Sequence, residues 1–248
     1  MEYDYIECGD CLELMNDIPD GSIDMILCYL PYGTTKNKWD SVIPFEPLWE
    51  QYNRVIKDNA AIVLFSQMPF TVDLVASNYK DFRYEWIWEK LYASGHLNAN
   101  RMPMKKHENI LVFYKKLPTY NPQFTKGKPY VATRSKHSSN YGKQKDNTTT
   151  INDGKRYPVD IIKFNNDRGL HTTQKPVELL EYLIKTYTNE GEIVLDNCMG
   201  SGSTCVACVN TNRHYIGFEL DQQYYDIACK RLDEVENMKW KHYKDLKH

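Results

Sequence analysis

The chain has 248 residues, of which 42% are hydrophobic and 13% aromatic, so it can bury a substantial core and is not a disordered chain. Its net charge of −2 alone would argue against a nucleic-acid partner. Because it has no apolar run of about 18 residues and its acidic start is unlike a secretory signal, we expect a cytoplasmic protein without membrane contact.

Apolar runs alternate with helix-like segments along the chain. Strands are predicted at residues 4–7, 23–28, 60–65, 84–88, 109–114, 193–196 and 214–218. Helices are predicted at residues 11–16, 45–56, 69–77, 176–187, 203–210 and 222–236. This alternation predicts an α/β fold with a doubly wound, mostly parallel sheet covered on both faces by helices. Such sheets bind ligands at the carboxyl ends of their strands.

Polar or aromatic side chains follow the ends of several predicted strands. Tyr29, Ser66, Asp196 and Glu219 each stand at such a position, so one cleft can collect them. Asp10, after the first strand, could contact a ligand in the same cleft, although an Asp in a turn needs no ligand.

Residues 115–168 differ in charge from the rest of the chain. They hold 12 Lys or Arg against 4 Asp or Glu, a local charge of +8, so the remainder carries −10. The segment is also rich in polar residues and has no long apolar period. It can hold phosphates and read bases, or it can simply be a solvated loop.

The turn after the predicted strand 193–196 is typical of a nucleotide-type cofactor site. The strand ends in Asp196, and the turn that leads into the next helix contains the small or flexible residues Met199, Gly200, Ser201, Gly202, Ser203 and Thr204. The following strand ends in Glu219, before Leu220, where such folds place a carboxylate for the ribose hydroxyls.

The charge of this turn favours a cationic nucleoside over a dinucleotide. The full G-x-G-x-x-G spacing is missing, and Asp196 would repel a phosphate. S-adenosylmethionine fits better, because Asp196 can attract its ammonium group while Glu219 holds its ribose. The alternative is a tight turn between strand and helix that binds no ligand.

The seven cysteines include two C-x-x-C pairs, Cys8 with Cys11 and Cys205 with Cys208. Neither pair has a nearby pair of histidines, and a zinc site needs four converging ligands. We therefore expect no metal, and interpret the cysteines as reduced thiols.

Several motifs resemble those of one known family, the circularly permuted β group of DNA amino-methyltransferases. Tyr29-Leu30-Pro31-Tyr32 stands where these enzymes carry Asp-Pro-Pro-Tyr or a close variant, and Gly33-Thr34-Thr35-Lys36-Asn37-Lys38-Trp39-Asp40 continues as in many phage and restriction-modification members. The segments 9–15 and 106–114 resemble the turn before the catalytic motif and a later strand. His171-Thr172-Thr173-Gln174-Lys175-Pro176 is similar to the motif that precedes the cofactor turn.

The resemblance implies a Rossmann-like methyltransferase that carries a methyl group from S-adenosylmethionine to adenine N6 of a base flipped out of double-stranded DNA. It implies a catalytic half at residues 1–114, a target-recognition insertion at 115–168 and a cofactor-binding half at 169–248. His171, Thr173 and Lys175 would belong to the cofactor site; alternatively, Thr173 caps the next helix and Pro176 starts it. Many relatives form dimers.

In the family motif, a side-chain acceptor at position 29 and the carbonyl of residue 30 bind the two N–H groups of the target amine, and the aromatic at position 32 stacks on the base. Here Tyr29 replaces the Asp, Asn or Ser acceptor. A phenol keeps its own proton near neutral pH and is bulkier, so we expect an impaired or inactive enzyme.

Four alternatives stay open from the sequence. Tyr29 can be a working variant, or the target can be cytosine N4. The chain can be a non-enzymatic protein that binds S-adenosylmethionine and DNA, or it can methylate RNA or a protein glutamine. The basic segment 115–168 favours a nucleic acid over a protein substrate.

Overall fold

The computed structural model describes residues 1–33, 41–134, 148–165 and 174–245, with side chains up to residue 238 in the last helix. Residues 34–40, which continue the motif at residues 29–32, lie outside the described residues, as do the predicted cofactor contacts His171 and Thr173. The chain divides into two compact units, Met1–Asn121 with Asp160–His248, and Pro122–Val159.

Strands and helices alternate in the first unit, and the second unit contains strands. In chain order the elements are β1 (Tyr5–Cys8), α1 (Cys11–Leu14), β2 (Ile23–Cys28), α2 (Phe45–Val55), β3 (Ile56–Ser66), α3 (Phe70–Ser77), β4 (Phe82–Ser94), β5 (Lys105–Phe113), β6 (Thr125–Lys126), β7 (Tyr130–Arg134), β8 (Thr148–Asn152), β9 (Lys155–Arg156), β10 (Ile161–Phe164), α4 (Val177–Tyr187), β11 (Ile193–Asp196), α5 (Ser203–Asn210), β12 (His214–Glu219) and α6 (Gln222–Asp245). Short 3₁₀ turns cover Met15–Asp17 and His96–Asn98.

An eight-stranded sheet in the order β1-β12-β11-β2-β3-β5-β4-β10 forms the centre of the first unit. All neighbouring strands run parallel except β5, which is antiparallel to both β3 and β4. The predicted mostly parallel sheet is therefore confirmed. The register places Leu195 of β11 beside Ile26 of β2, and Cys8 of β1 beside Glu219 of β12.

Helices cover both faces of this sheet, as the alternation of buried side chains along its strands requires. Met25 and Leu27 of β2 belong to the core beneath α4, α5 and α6. Ile26 and Cys28 of the same strand belong to the core beneath α1, α2 and α3. The doubly wound arrangement leaves the carboxyl ends of the parallel strands open at one edge.

The predicted elements are all present, but several differ in extent; β3 begins at Ile56 and α6 continues to Asp245. The first helix is only Cys11–Leu14 before a 3₁₀ turn, and β4 and β5 extend beyond the core as a ribbon with exposed residues such as Leu91 and Tyr92. Strand β10 was not predicted, because its four residues carry a single buried hydrophobic, Ile162.

The second unit is built from two antiparallel pairs of strands, β6 with β9 and β7 with β8. Arg156 donates hydrogen bonds to the Asn152 side chain and to the Lys128 carbonyl. Its guanidinium also lies 4.8 Å from the centre of the Tyr130 ring. Within the described ranges of the whole chain, no helix has both the length and the apolar character that a membrane span needs.

Candidate active site

Two cavities open at the carboxyl edge of the sheet. The larger, with a volume of ≈ 170 Å³, is lined by residues that include Asp10, Tyr29, Pro31, Gly200, Glu219 and Leu220. The smaller, of ≈ 60 Å³, is lined by residues that include Tyr29, Lys175, Asp196, Met199, Gly200, Ser201, Ser203 and Thr204. The structure thus brings together most of the predicted site residues, and Tyr29 lines both cavities.

The glycine turn between β11 and α5 adopts backbone conformations that favour glycine. Gly200 has φ +54° and Gly202 has φ +77°. A Cβ atom on Gly202 would lie 3.0 Å from the Ala228 side chain of α6. Gly217 of β12 lies beneath the turn, where an added Cβ would be only 2.6 Å from Met199 Sδ. The turn therefore lies directly against β12 and α6.

Asp196 is a buried carboxylate at the end of β11. It accepts hydrogen bonds from the Cys198 backbone N–H at 3.2 Å and from the Thr204 side chain. Burial nevertheless raises the pKa of Asp196 to about 6, because these hydrogen bonds offset only part of the cost of removing the charge from water. A cation placed in the smaller cavity would restore the charged form.

Glu219 ends the neighbouring strand β12 and lines the larger cavity. Its two carboxylate oxygens accept hydrogen bonds of 2.8 Å each from the Gly200 and Asp221 backbone N–H groups, which fix its orientation. Burial raises the pKa of Glu219 above its ordinary value. Since each carboxylate oxygen has a further lone pair, Glu219 can still accept hydrogen bonds from a ligand.

A side chain of α6 forms hydrogen bonds with two serines of the glycine turn. Arg231 donates hydrogen bonds to Ser201 Oγ at 2.9 Å and to Ser203 Oγ at 3.1 Å. Asp10, which lines the larger cavity, caps α1 by accepting the Leu12 N–H at 2.8 Å. Asp10 therefore has a structural partner, as the turn interpretation predicts, and also lines the cavity.

Tyr29 is packed among aromatic rings immediately after β2. Its ring meets that of Tyr32 edge-on at 4.8 Å and that of Phe65 at 6.3 Å between centroids. Tyr32 is buried against Phe70 at 5.0 Å, and burial raises the pKa of the Tyr32 hydroxyl well above its ordinary value. Leu30, the residue between Tyr29 and Pro31, is also buried.

A buried group of charges faces the Tyr29 ring. Lys175 is 7% exposed; its ammonium lies 3.4 Å from the centre of the Tyr29 ring and 2.9 Å from Glu108 Oε2. Lys90 forms an ion pair with the other oxygen of Glu108. Lys175 was predicted from the sequence and Glu108 was not, although a lone acid within the buried end of a strand was a usable signal.

The pKa values in this group follow from its charges. Burial raises the pKa of Glu108, but the two lysines outweigh burial and hold this pKa below its ordinary value. Burial lowers the pKa of Lys175 to about 8, and Glu108 opposes that shift. The Glu108 carboxylate therefore stays charged. Because the pKa of Lys175 lies near neutral pH, a change in its surroundings can change its protonation state.

Among the described residues, no group of three or more His, Cys, Asp or Glu side chains is arranged to hold a metal ion. The two cavities are lined by carboxylates, hydroxyls, thiols and aromatic rings, together with the Lys175 ammonium. Two buried acids flank an open cleft, and one aromatic side chain stands between its two cavities. This arrangement suits a cationic ligand that carries hydroxyl groups.

Comparison with known proteins agrees with this description. The DNA methylase family model N6_N4_Mtase matches residues 23–230. The chain is 30% identical to the type II methyltransferase M.BglII of Bacillus subtilis, over 90% of this chain and 67% of that protein.

Two solved structures share the fold. The crystal structure of the M1.HpyAVI–SAM complex has 23% identity and a TM-score of 0.62, covering 91% of this chain and 98% of that one. The cytosine-N4-specific PvuII DNA methyltransferase has 14% identity and a TM-score of 0.68, covering 96% of this chain and 92% of that one. The predicted Rossmann-like methyltransferase fold is thereby confirmed.

Proposed function

Since this chain belongs to the N6_N4_Mtase family of DNA methylases, we propose that it binds S-adenosylmethionine and duplex DNA, with adenine N6 as the methyl acceptor of a flipped base. We propose further that Tyr29 leaves methyl transfer strongly impaired. The observation that carries the proposal is the position of Tyr29, which lines both cavities at the end of β2.

The groups in the two cavities fit the parts of S-adenosylmethionine. Glu219 would accept the ribose hydroxyls in the larger cavity, and Asp196 would bind the ammonium group in the smaller one. Lys175 offers a positive charge for the carboxylate of the amino-acid end. When bound, the cofactor supplies an electrophilic methyl group on a sulfonium. The M1.HpyAVI–SAM complex, which has the same fold, supports the choice of this cofactor.

The proposed impairment follows from the chemistry of an exocyclic amine. Its lone pair is delocalised into the ring, so the nitrogen must be drawn towards a tetrahedral shape by acceptors for its two N–H bonds. The Leu30 carbonyl would provide one acceptor. A phenol hydroxyl such as that of Tyr29 offers only a weaker second acceptor than a carboxylate, and losing one such partner costs about 10²–10³ in rate.

Tyr29 also fills space that a base would need. Its ring already contacts the Tyr32 ring, which would stack on the flipped base, and the Lys175 ammonium lies 3.4 Å from the centre of the Tyr29 ring. A short acidic side chain at residue 29 would open this space and supply the missing acceptor. Tyr29→Asp is therefore expected to gain activity.

We propose residues 115–168 as the target-recognition region. In the unit Pro122–Val159, Lys155 lies 3.7 Å from the centre of the Phe124 ring, and the exposed residues include Tyr157 and Ile151. Basic side chains combined with exposed aromatic surface suit phosphates and unstacked bases. Charge-removing substitutions such as Lys126→Gln should weaken duplex binding and reduce its salt dependence.

The direct test is transfer of labelled methyl from S-adenosylmethionine to mixed-sequence duplex DNA. We expect Tyr29→Asp to exceed the unaltered chain by about 10² or more, while the matched control Tyr29→Phe, which keeps the ring, gains nothing. Equal transfer by Tyr29→Asp and the unaltered chain would contradict the impairment. Nucleoside analysis of the product separates N6-methyladenine from N4-methylcytosine, the alternative target.

Tyr29 also favours a second candidate function, that of a non-enzymatic protein that binds S-adenosylmethionine and DNA. This candidate predicts tight, salt-dependent duplex binding and no turnover, even with Asp at residue 29. Transfer to RNA or peptide alone, with none to duplex DNA, would contradict both DNA-directed functions.

A further inference from the structure

Three cysteines from three different elements meet beside the larger cavity. Cys11 begins α1, Cys28 ends β2, and Cys198 follows β11 by two residues. Neighbouring groups in this set shift one another's pKa values: Cys11 and Cys198, Cys198 and Cys28, and Cys28 and the Asp196 carboxylate. All three are free thiols. They form a continuous chain of sulfur atoms that ends at a predicted ligand contact.

A buried amide holds two of these sulfurs in place. Asn197 Nδ2 donates to Cys11 Sγ and to Cys198 Sγ at 3.5 Å each, while Asn197 Oδ1 accepts the Tyr52 hydroxyl of α2 at 2.6 Å. Both cysteines line the larger cavity, and Cys198 is half-buried. A small reagent that enters the cavity can therefore meet two thiols that are bound by the same amide.

We propose that Cys11 and Cys198 form a modification site for low-molecular-weight disulfides, which convert the two thiols into an internal disulfide at the cavity wall. The Cys198 sulfur attacks one sulfur of the small disulfide, breaks its S–S bond and releases one small thiol. The Cys11 sulfur then attacks Cys198 in the mixed disulfide and releases the second. The protein loses two electrons and two protons, and the small disulfide gains them as two thiols.

The surroundings of Cys198 set the pace of this reaction. The hydrogen bond from Cys11 lowers the pKa of Cys198, but the contact with Cys28 and burial outweigh it and raise this pKa well above the ordinary value. Thiolate is the attacking species, so modification should be slow at neutral pH and accelerate as the pH rises. Capture of the mixed disulfide should be faster than its formation, because the same Asn197 amide holds the Cys11 sulfur near Cys198.

Bond formation would reshape the cavity. The two sulfurs bound by Asn197 must approach to about 2.0 Å, which draws the start of α1 towards the loop after β11. Asn197 lies between these segments and would lose its present alignment on both sulfurs. This consequence rests on the proposed function: binding of S-adenosylmethionine should weaken at least about tenfold in the oxidised protein.

The first experiment does not involve the cofactor. Reduced protein is incubated with oxidised glutathione and mapped by mass spectrometry under non-reducing conditions. We expect a peptide pair joined through Cys11 and Cys198, loss of two of the seven thiols, and reversal by dithiothreitol. Cys11→Ser should stop at a glutathione adduct on Cys198, and the control Cys229→Ser in α6 should form the link normally.

The mapped peptides show which cysteines are linked. A link between Cys28 and Cys198, or no link in the native protein while the urea-unfolded chain reacts, would overturn the proposal. Circular dichroism melting of each Ser variant confirms that loss of the link is not loss of the fold.

The second experiment measures S-adenosylmethionine affinity by calorimetry in reduced and oxidised protein. Equal affinity in both would refute the effect on the cavity. If the reduced protein does not bind the cofactor while the link still forms, the proposed function fails and the modification site stands. If the reduced protein binds but no link forms, the modification site alone fails.

Discussion

Asp196→Asn should make the protein more stable at neutral pH while removing a proposed cofactor contact. The carboxyl group of Asp196 is buried, and its pKa of about 6 lies roughly two units above the ordinary value. The variant keeps one side-chain oxygen for the Cys198 N–H and carries no charge at any pH. The gain in stability should therefore depend on pH in a way that identifies the carboxylate.

The direction in which stability changes with pH follows from the number of protons that each state binds at Asp196. Between about pH 4 and about pH 6 the folded state holds the Asp196 proton while the unfolded state has released it, so the stability of the unaltered protein falls as the pH rises. A shift of two units corresponds to about 3 kcal/mol in total. About 2 kcal/mol of this loss falls between about pH 4.5 and about pH 7.5, the range that can be measured.

Urea unfolding of both proteins across that range is the assay. The variant-minus-parent difference in unfolding free energy should rise by about 2 kcal/mol, since any cost of the new amide N–H groups is independent of pH. Asp73→Asn, at an exposed position in α3, is the matched control and should change by less than about 1 kcal/mol. A difference that stays flat with pH, or falls, would refute the reasoning.

Three further predictions follow from the same site. S-adenosylmethionine affinity, measured by calorimetry, should fall about tenfold for each pH unit below about 6, because the ligand ammonium needs the charged form of Asp196. Glu108→Gln should cost about 3–5 kcal/mol in urea unfolding, since it leaves Lys175 buried without its counter-ion, and Lys175→Met in the same chain should recover part of that loss. Gly217→Ala should cost about 1–3 kcal/mol, because its Cβ would overlap Met199 and Cys205; an unchanged melting temperature would show that the turn is looser than described.

The sequence predicted the sheet and its ligand-binding edge because those features depend on local patterns. Strands β2 and β11 have the predicted bounds, and the glycine turn leads into α5 at the predicted Ser203. The antiparallel direction of β5 was not predicted, since a strand buried on both faces shows no difference in pattern between the two directions.

Contacts between distant segments were the main omission. The C-x-x-C spacing links cysteines that are close in sequence, whereas Cys11, Cys28 and Cys198 come from three separate parts of the fold. Glu108 and Lys175 likewise come from segments whose approach depends on the whole fold. A usable signal existed for the thiols: Cys11, Cys28 and Cys198 each stand at or just after the carboxyl end of a parallel strand.

The strand order has a consequence for how this protein is made. The Ile193 backbone N–H of β11 donates to the side chain of Asp24 of β2, 169 residues away in sequence, and among the described strands β1 pairs with β12 alone. Closing such a long loop is entropically costly and slows folding. During synthesis, on the order of ten seconds pass between translation of β2 and of β11, and one apolar edge of β2 stays unpaired for that time. We therefore expect the yield of native protein to depend on chaperones and to improve when expression is slowed by cooling.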